Sequence, residues 1–186
     1  GTARTFHAAG GRDVEITGPY GWKLDVAGEV AALTQLIQAG LGEGEQDREP
    51  VYAATAASRS LPDWGNTYVE IDLTGQHVYM FQEGNLVWEA PCVTGNIAKN
   101  YNTPAGIYSL TYKEMDRILR GAKKADGTYE YESHVDYWMP FNGGIGLHDA
   151  SWRSKFGGTI YQYGGSHGCI NLPSGKAKTL YDMVYT

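Results

Sequence analysis

Near its C-terminus the chain reads Gly164-Gly165-Ser166-His167-Gly168-Cys169-Ile170-Asn171, and a His148-Asp149 pair stands upstream. A cysteine thiol is barely ionised at neutral pH, so a cysteine nucleophile needs a base or a cation close by. His167 and His148 both qualify. Gly168, with no Cβ, lets the backbone approach a substrate carbonyl and turn its amides toward a developing oxyanion. Together these residues supply a nucleophile, candidate bases and amide donors, which is the equipment of acyl transfer. Inert cysteines prefer apolar surroundings, and Cys169 is not in them. Cys92 is: it lies in the apolar, strand-like run Trp88 to Val93 and is expected to be a small buried hydrophobe. A Cys92–Cys169 disulfide would quench the nucleophile, so both thiols are expected to stay free. Read as metal ligands, His148, Asp149, His167 and Cys169 lack a second cysteine or a His-x-x-x-His pair. No metal and no cofactor is expected.

The spacing also carries a resemblance. His148, a spacer, then Ser-His-Gly-Cys with Asn171 two residues on, is similar to the signature of the L,D-transpeptidase (YkuD-type) catalytic domain. The text Tyr137-Trp138-Met139-Pro140-Phe141, the run Gly143 to Arg153 and Thr103-Pro104-Ala105-Gly106-Ile107-Tyr108 match as well. The match covers roughly residues 65–186. These bacterial enzymes cross-link peptidoglycan through a cysteine acyl-enzyme. The resemblance implies Cys169 as nucleophile and His148 as the general base, its imidazole held by the backbone carbonyl of Asp149 rather than by the Asp149 side chain. It implies that His167, Gly168, Ser166 and Asp149 support the site, with the His167, Gly168 and Cys169 amides as oxyanion donors, and that Trp152 and Asn171 line the donor-peptide cleft. Implied partners are donor and acceptor stem peptides, with β-lactams of the carbapenem type as inhibitors. The spacer, residues 149–165, is at the long end of the family range. An L,D-carboxypeptidase, with water as acceptor, would use the same residues. A peptidoglycan-binding module without turnover is the third reading, against which an intact Cys169 and His148 argue.

Composition narrows the field. At 186 residues the chain can hold one full domain and a fragment of another. A net charge of −6 without a Lys/Arg run argues against nucleic acid, whose phosphates demand clustered cations. The 25 glycines and 14 tyrosines suit turns, strands and a peptide-lined cleft. No apolar stretch reaches membrane-spanning length and no signal peptide is visible. The opening Gly1-Thr2-Ala3 reads as a cut from a longer protein, so an upstream membrane anchor stays open. The expected location is extracytoplasmic, at the cell wall or the outer face of the plasma membrane.

The elements that must position these residues form a mainly β chain. The expectation is a β-sandwich catalytic domain over 65–186 with one or two helices, preceded by a small α+β piece over 1–50 and a linker over 51–64. In the first unit Val14 to Thr17 alternates like a strand, and Gly18-Pro19-Tyr20-Gly21 reads as a turn. Asp25 can cap a helix with Val26, Val30, Leu33 and Ile37 on one face, stopped by Gly40 with Leu41 packing back. This unit resembles the tail of the peptidoglycan-binding domain that precedes the catalytic domain in anchored transpeptidases. The polar, unpatterned text from Gly42 to Pro62 reads as a linker. Beyond it, Val69, Ile71 and Leu73 alternate with Tyr68, Glu70 and Asp72 as a half-buried strand would, its polar side toward solvent. Further strands are expected at His77–Phe81, Leu86–Val93 and Gly106–Tyr112, then at Tyr137 and Ile145. Lys113 to Gly127 is charged and lacks alternation, and reads as a long loop able to cover the site as a lid. A closing helix from near Ser174 buries Ala177, Leu180, Tyr181 and Val184.

Overall fold

The computed structural model describes residues 3–40 and 47–185. The packing expected of Leu41 and the start of the polar stretch at 42–46 lie outside these residues. The N-terminal unit comprises a hairpin of β1 (Arg4–His7) and β2 (Asp13–Ile16), the short strand β3 (Lys23–Leu24), and α1 (Val26–Gln38). Asp25 caps α1, its carboxylate accepting from the Gly28 amide at 3.0 Å, and Gly40 follows the helix at φ +77°. The apolar face of α1 is exposed, however: Val26, Val30 and Ile37 are each more than half accessible.

Residues 51–64 are tied down rather than free. β4 (Tyr52–Ala54) pairs with β3, the Trp22 indole donates to the Ser58 carbonyl, and buried Asp63 receives Arg4 at 2.8 Å. These partners are distant in sequence, so local composition alone suggested a linker.

Two sheets then face each other. The first is the meander β5 (Tyr68–Asp72), β6 (His77–Gln82) and β7 (Asn85–Pro91). The second contains β8 (Glu114–Arg120), β9 (Glu132–Asn142), β10 (Ile145–Asp149) and, after α2 (Ile160–Gly164), β11 (Ile170–Leu172), in the order β11-β10-β9-β8. α3 (Ser174–Met183) packs against β10 and β9. The core between them is Val78, Met80, Trp88, Ala90 and Cys92 from one sheet and Met139, Leu147, Ile170 and Leu172 from the other, closed by Ala177 and Leu180. Fully burying a side chain such as Ile170, Leu172 or Leu180 contributes about 1.5–3 kcal/mol each. The molecule is therefore mainly β, a sandwich with two helices in its main part, as expected. Cys92 is fully buried and both cysteines are free.

Three expectations change. The segment 106–112 is not a strand; its one ladder-like contact is the Thr111 amide on the Pro140 carbonyl. Lys113 to Gly127 is not a structureless loop, because Glu114–Arg120 pairs antiparallel with β9, from Glu114 opposite Trp138 to Arg120 opposite Glu132. β9 accordingly starts at Glu132, ahead of Tyr137. β8 is solvated along most of its length and has no core side, so no period-two pattern marks it. Finally, β5 is not half-buried with its carboxylates in water. The N-terminal hairpin docks on that face: the Ala9 amide donates to Glu70 at 2.9 Å and Arg12 pairs with Asp72 at 2.5 Å. Phe6 inserts between Trp64 and Tyr68. Glu70 and Asp72 are buried as a result.

Candidate active site

β10 and β11 run parallel, with Leu147 opposite Ile170 and His148 opposite Asn171. Side chains alternate across a strand. Leu147 and Ile170 thus enter the core, while His148, Asn171 and, two residues before it, Cys169 share the other face. This pairing is what joins the upstream histidine to the downstream cysteine.

The loop entering β11 is fixed by side chains. Ser166 Oγ donates to the Cys169 carbonyl at 2.6 Å and accepts from the Gly168 amide at 3.0 Å. Thr103 Oγ1 donates to the Gly168 carbonyl at 2.7 Å and accepts from the Gly95 amide at 3.0 Å. Thr103, the first residue of the Thr-Pro-x-Gly text, is therefore a brace for the cysteine loop. On the outer side, Val93 exchanges two backbone bonds with Asn171, and Thr94 and Asn96 bond Ser166. Gly168 sits at φ +116°, a conformation that side chains rarely adopt. Its amide, expected to serve an oxyanion, is already taken by Ser166, because Ser166 folds back over the turn. His167 and Cys169 remain as candidate amide donors.

His148 is buried, and its Nδ1 lies 2.6 Å from the Asp149 carbonyl. The Asp149 carboxylate turns away and accepts from the Tyr137 amide. Burial pushes the imidazole below its usual value, so it is neutral at neutral pH. Burial also pushes the Cys169 thiol up to about 11, although the Gly146 amide points at the sulfur. The resting pair is thus thiol and imidazole rather than an ion pair. The thiol donates to the Gly144 carbonyl at 3.5 Å, and His148 Nε2 is met by Asn171 Nδ2 at 3.1 Å. No hydrogen bond joins Cys169 to His148 in this state, since both groups are satisfied elsewhere.

Asn171, expected at the donor cleft, is 2% exposed, its amide committed to His148 and to Arg153 Nε at 2.7 Å. Arg153 escaped the sequence reading as a site residue; the only signal was its place in the matched run Gly143 to Arg153. Trp152 is half exposed, with its ring 5.9 Å from that of His148. His167 is exposed and sandwiched between Tyr101 at 4.3 Å and Tyr131 at 4.6 Å. Tyr131 belongs to the β8–β9 hairpin, whose Leu119 and Ser133 line the same cleft of about 210 Å³ as Cys169 and His148. A larger cavity, about 730 Å³, opens under the N-terminal hairpin and contains neither residue.

A free thiol, a neutral imidazole and a braced glycine turn thus meet at a cleft lined by the β8–β9 hairpin. The chain belongs to the YkuD family, described as the L,D-transpeptidase catalytic domain, which matches residues 66–186. Among solved structures it is similar to a cysteine-to-serine mutant of the L,D-transpeptidase of Enterococcus faecium. Identity is 34% with a TM-score of 0.79, covering 100% of this chain and 71% of that one. The catalytic domain of an E. faecium L,D-transpeptidase acylated by ertapenem is 41% identical, covering 65% and 92% of the two chains, with a TM-score of 0.56. An avibactam carbamoyl enzyme matches at 34% identity and a TM-score of 0.79, over 100% and 70%. Among curated proteins none matches.

Proposed function

We propose that this L,D-transpeptidase forms three-to-three cross-links in peptidoglycan through a thioester on Cys169. The observation that supports this best is the parallel β10–β11 pairing, which puts a free thiol and a neutral histidine on one face of one sheet. With substrate present, the thiol leaves the Gly144 carbonyl and passes its proton to His148 Nε2 as sulfur attacks. The target is the carbonyl of the L-configured residue at the third stem position. The C–N bond to the terminal D-Ala breaks, and His148 returns the proton to the departing amine. A side-chain amine of a neighbouring stem then attacks the thioester, giving the cross-link and restoring the thiol. Proton transfer accompanies attack, because a thiol held near 11 beside a neutral imidazole does not ionise in advance.

The supporting roles follow the geometry. Ser166 and Thr103 hold the turn, the Asp149 carbonyl holds the imidazole, and the His167 and Cys169 amides meet the oxyanion. Trp152 lines the donor cleft. Carbapenem-type β-lactams acylate Cys169, as ertapenem does the E. faecium domain. Residues 1–50 derive from a peptidoglycan-binding domain joined through 51–64, and the protein works outside the plasma membrane at the cell wall. An L,D-carboxypeptidase would pass the same acyl group to water. The covering hairpin favours the amine, because it limits water at the thioester. Mass spectrometry of products from a tetrapeptide stem, with and without an amine acceptor, tests this reading. Cross-linked dimer with D-Ala release is expected; tripeptide alone in both reactions would make the enzyme a carboxypeptidase.

A further inference from the structure

A guanidinium can only donate hydrogen bonds. Arg153 Nε lies 2.7 Å from Asn171 Oδ1, so the oxygen of that amide is identified by its partner, and Nδ2 is the atom 3.1 Å from His148 Nε2. An amide nitrogen also only donates, so Nε2 must accept. The single imidazole proton then sits on Nδ1, where the Asp149 carbonyl takes it at 2.6 Å. The chain of bonds runs one way, from Arg153 to Asn171 to His148 to Asp149. Arg153 is itself fixed by donating Nη1 to the Gly164 carbonyl at 2.8 Å. Were Nε2 to gain a proton, it would face another donor.

We propose that Arg153 is a positioning residue for the reaction. By locking the orientation of the Asn171 amide, it holds His148 in the neutral form with its proton on Nδ1 and opposes lasting protonation at Nε2. The imidazole then accepts the thiol proton during attack and gives it up readily to the leaving amine. Without Arg153 the Asn171 amide can turn over and present Oδ1 to Nε2. Both imidazole nitrogens would then have acceptors, and the imidazolium would be stabilised. This inference rests on the reading of His148 as the base.

The charged and titratable groups around His148 are Asp149 on its own strand, Arg153 after it, Cys169 and His167 on the loop before β11, and Tyr131 on the hairpin. Loss of the Arg153 charge would by itself favour the imidazolium, so the test must separate charge from orientation. In histidine-labelled protein, the midpoint of the His148 ring titration is followed by ¹⁵N NMR. Arg153→Met should raise it by about one pH unit or more, the usual size of such hydrogen-bond and charge effects. Arg153→Lys, which keeps both charge and donor, should restore most of it. Asn171→Asp presents only acceptors and should raise it further. The deciding comparison is Arg153→Met in an Asn171→Leu background, where only the smaller shift due to the lost charge is expected. A second shift of equal size would mean that Arg153 acts by charge alone and would overturn the proposal. So would an unchanged midpoint in Asn171→Asp, which serves as the test should Arg153→Met fail to fold. The titration needs no turnover, so its failure leaves acylation of Cys169 standing, and failure of acylation leaves the titration interpretable.

Discussion

The β8–β9 hairpin touches the site through one aromatic contact, Tyr131 on His167 at 4.6 Å, with Tyr101 on the far face at 4.3 Å. Tyr131→Ala removes that contact and leaves the strand pairing from Glu114 to Arg120 in place. An aromatic pair is worth about 0.5–1.5 kcal/mol beyond the area it buries. Weakening the closed state by that amount raises the open population by roughly 2- to 13-fold, at tenfold per 1.36 kcal/mol. Water reaches a thioester in the open state, whereas transfer to an amine uses the ordered cleft. Hydrolysis relative to cross-linking should therefore rise by a few-fold up to about tenfold. Quantifying tripeptide and dimer products at fixed acceptor concentration reads the ratio, and hydrogen exchange in 114–142 reads the opening. Tyr131→Phe keeps the ring and should leave the ratio alone. Faster exchange in the hairpin with an unchanged product ratio would refute the idea that it governs access.

Further outcomes follow from the same geometry. His148→Ala should slow acylation by at least about 10²-fold, the usual worth of a positioned base, as measured by rapid-mixing adduct formation; a larger loss in His167→Ala would exchange their roles. Because burial lowers the His148 pKa, the base stays neutral to lower pH than a free histidine. The acid limb of the acylation rate should thus fall below pH ~6.5, and a limb above that value would contradict the burial argument. Burial, with Asp72 nearby, raises the Glu70 pKa, so ionised Glu70 opposes folding at neutral pH. Glu70→Gln keeps an acceptor for the Ala9 amide and should raise Tm at pH 7 but hardly at pH 4, where protonation has already relieved the cost; a loss of Tm at pH 7 that is absent at pH 4 would mean that the charge is needed.

Much of the site was legible because its parts sit close together in the chain. Ser166 to Cys169 form one turn, and the spacing to His148 is that of a β-strand, a crossover and a second strand. The meander β5–β7 was legible from its turns at Thr74-Gly75-Gln76 and Glu83-Gly84-Asn85. What failed depended on partners far away. β8 carries no period because neither face meets the core. Tyr108, Leu110 and Tyr112 alternate with Ser109 and Thr111 as a strand would, yet no neighbouring strand extends to pair them beyond the single bond from Thr111. Glu70 and Asp72 read as solvent-facing until a hairpin some sixty residues upstream covers them. Arg153 carries no local signal, since its importance comes from Asn171, reached only through the parallel pairing of β10 with β11.

The most direct test is intact-mass and peptide mapping after reaction with a carbapenem. Cys169 lies in the cleft beside His148, whereas Cys92 is fully buried with its thiol pushed up to about 12. One adduct per chain is expected, on Cys169, and none in a folded Cys169→Ala variant, which should also lose all turnover. An adduct on Cys92, or full activity in Cys169→Ala, would contradict the assignment of Cys169 as the nucleophile.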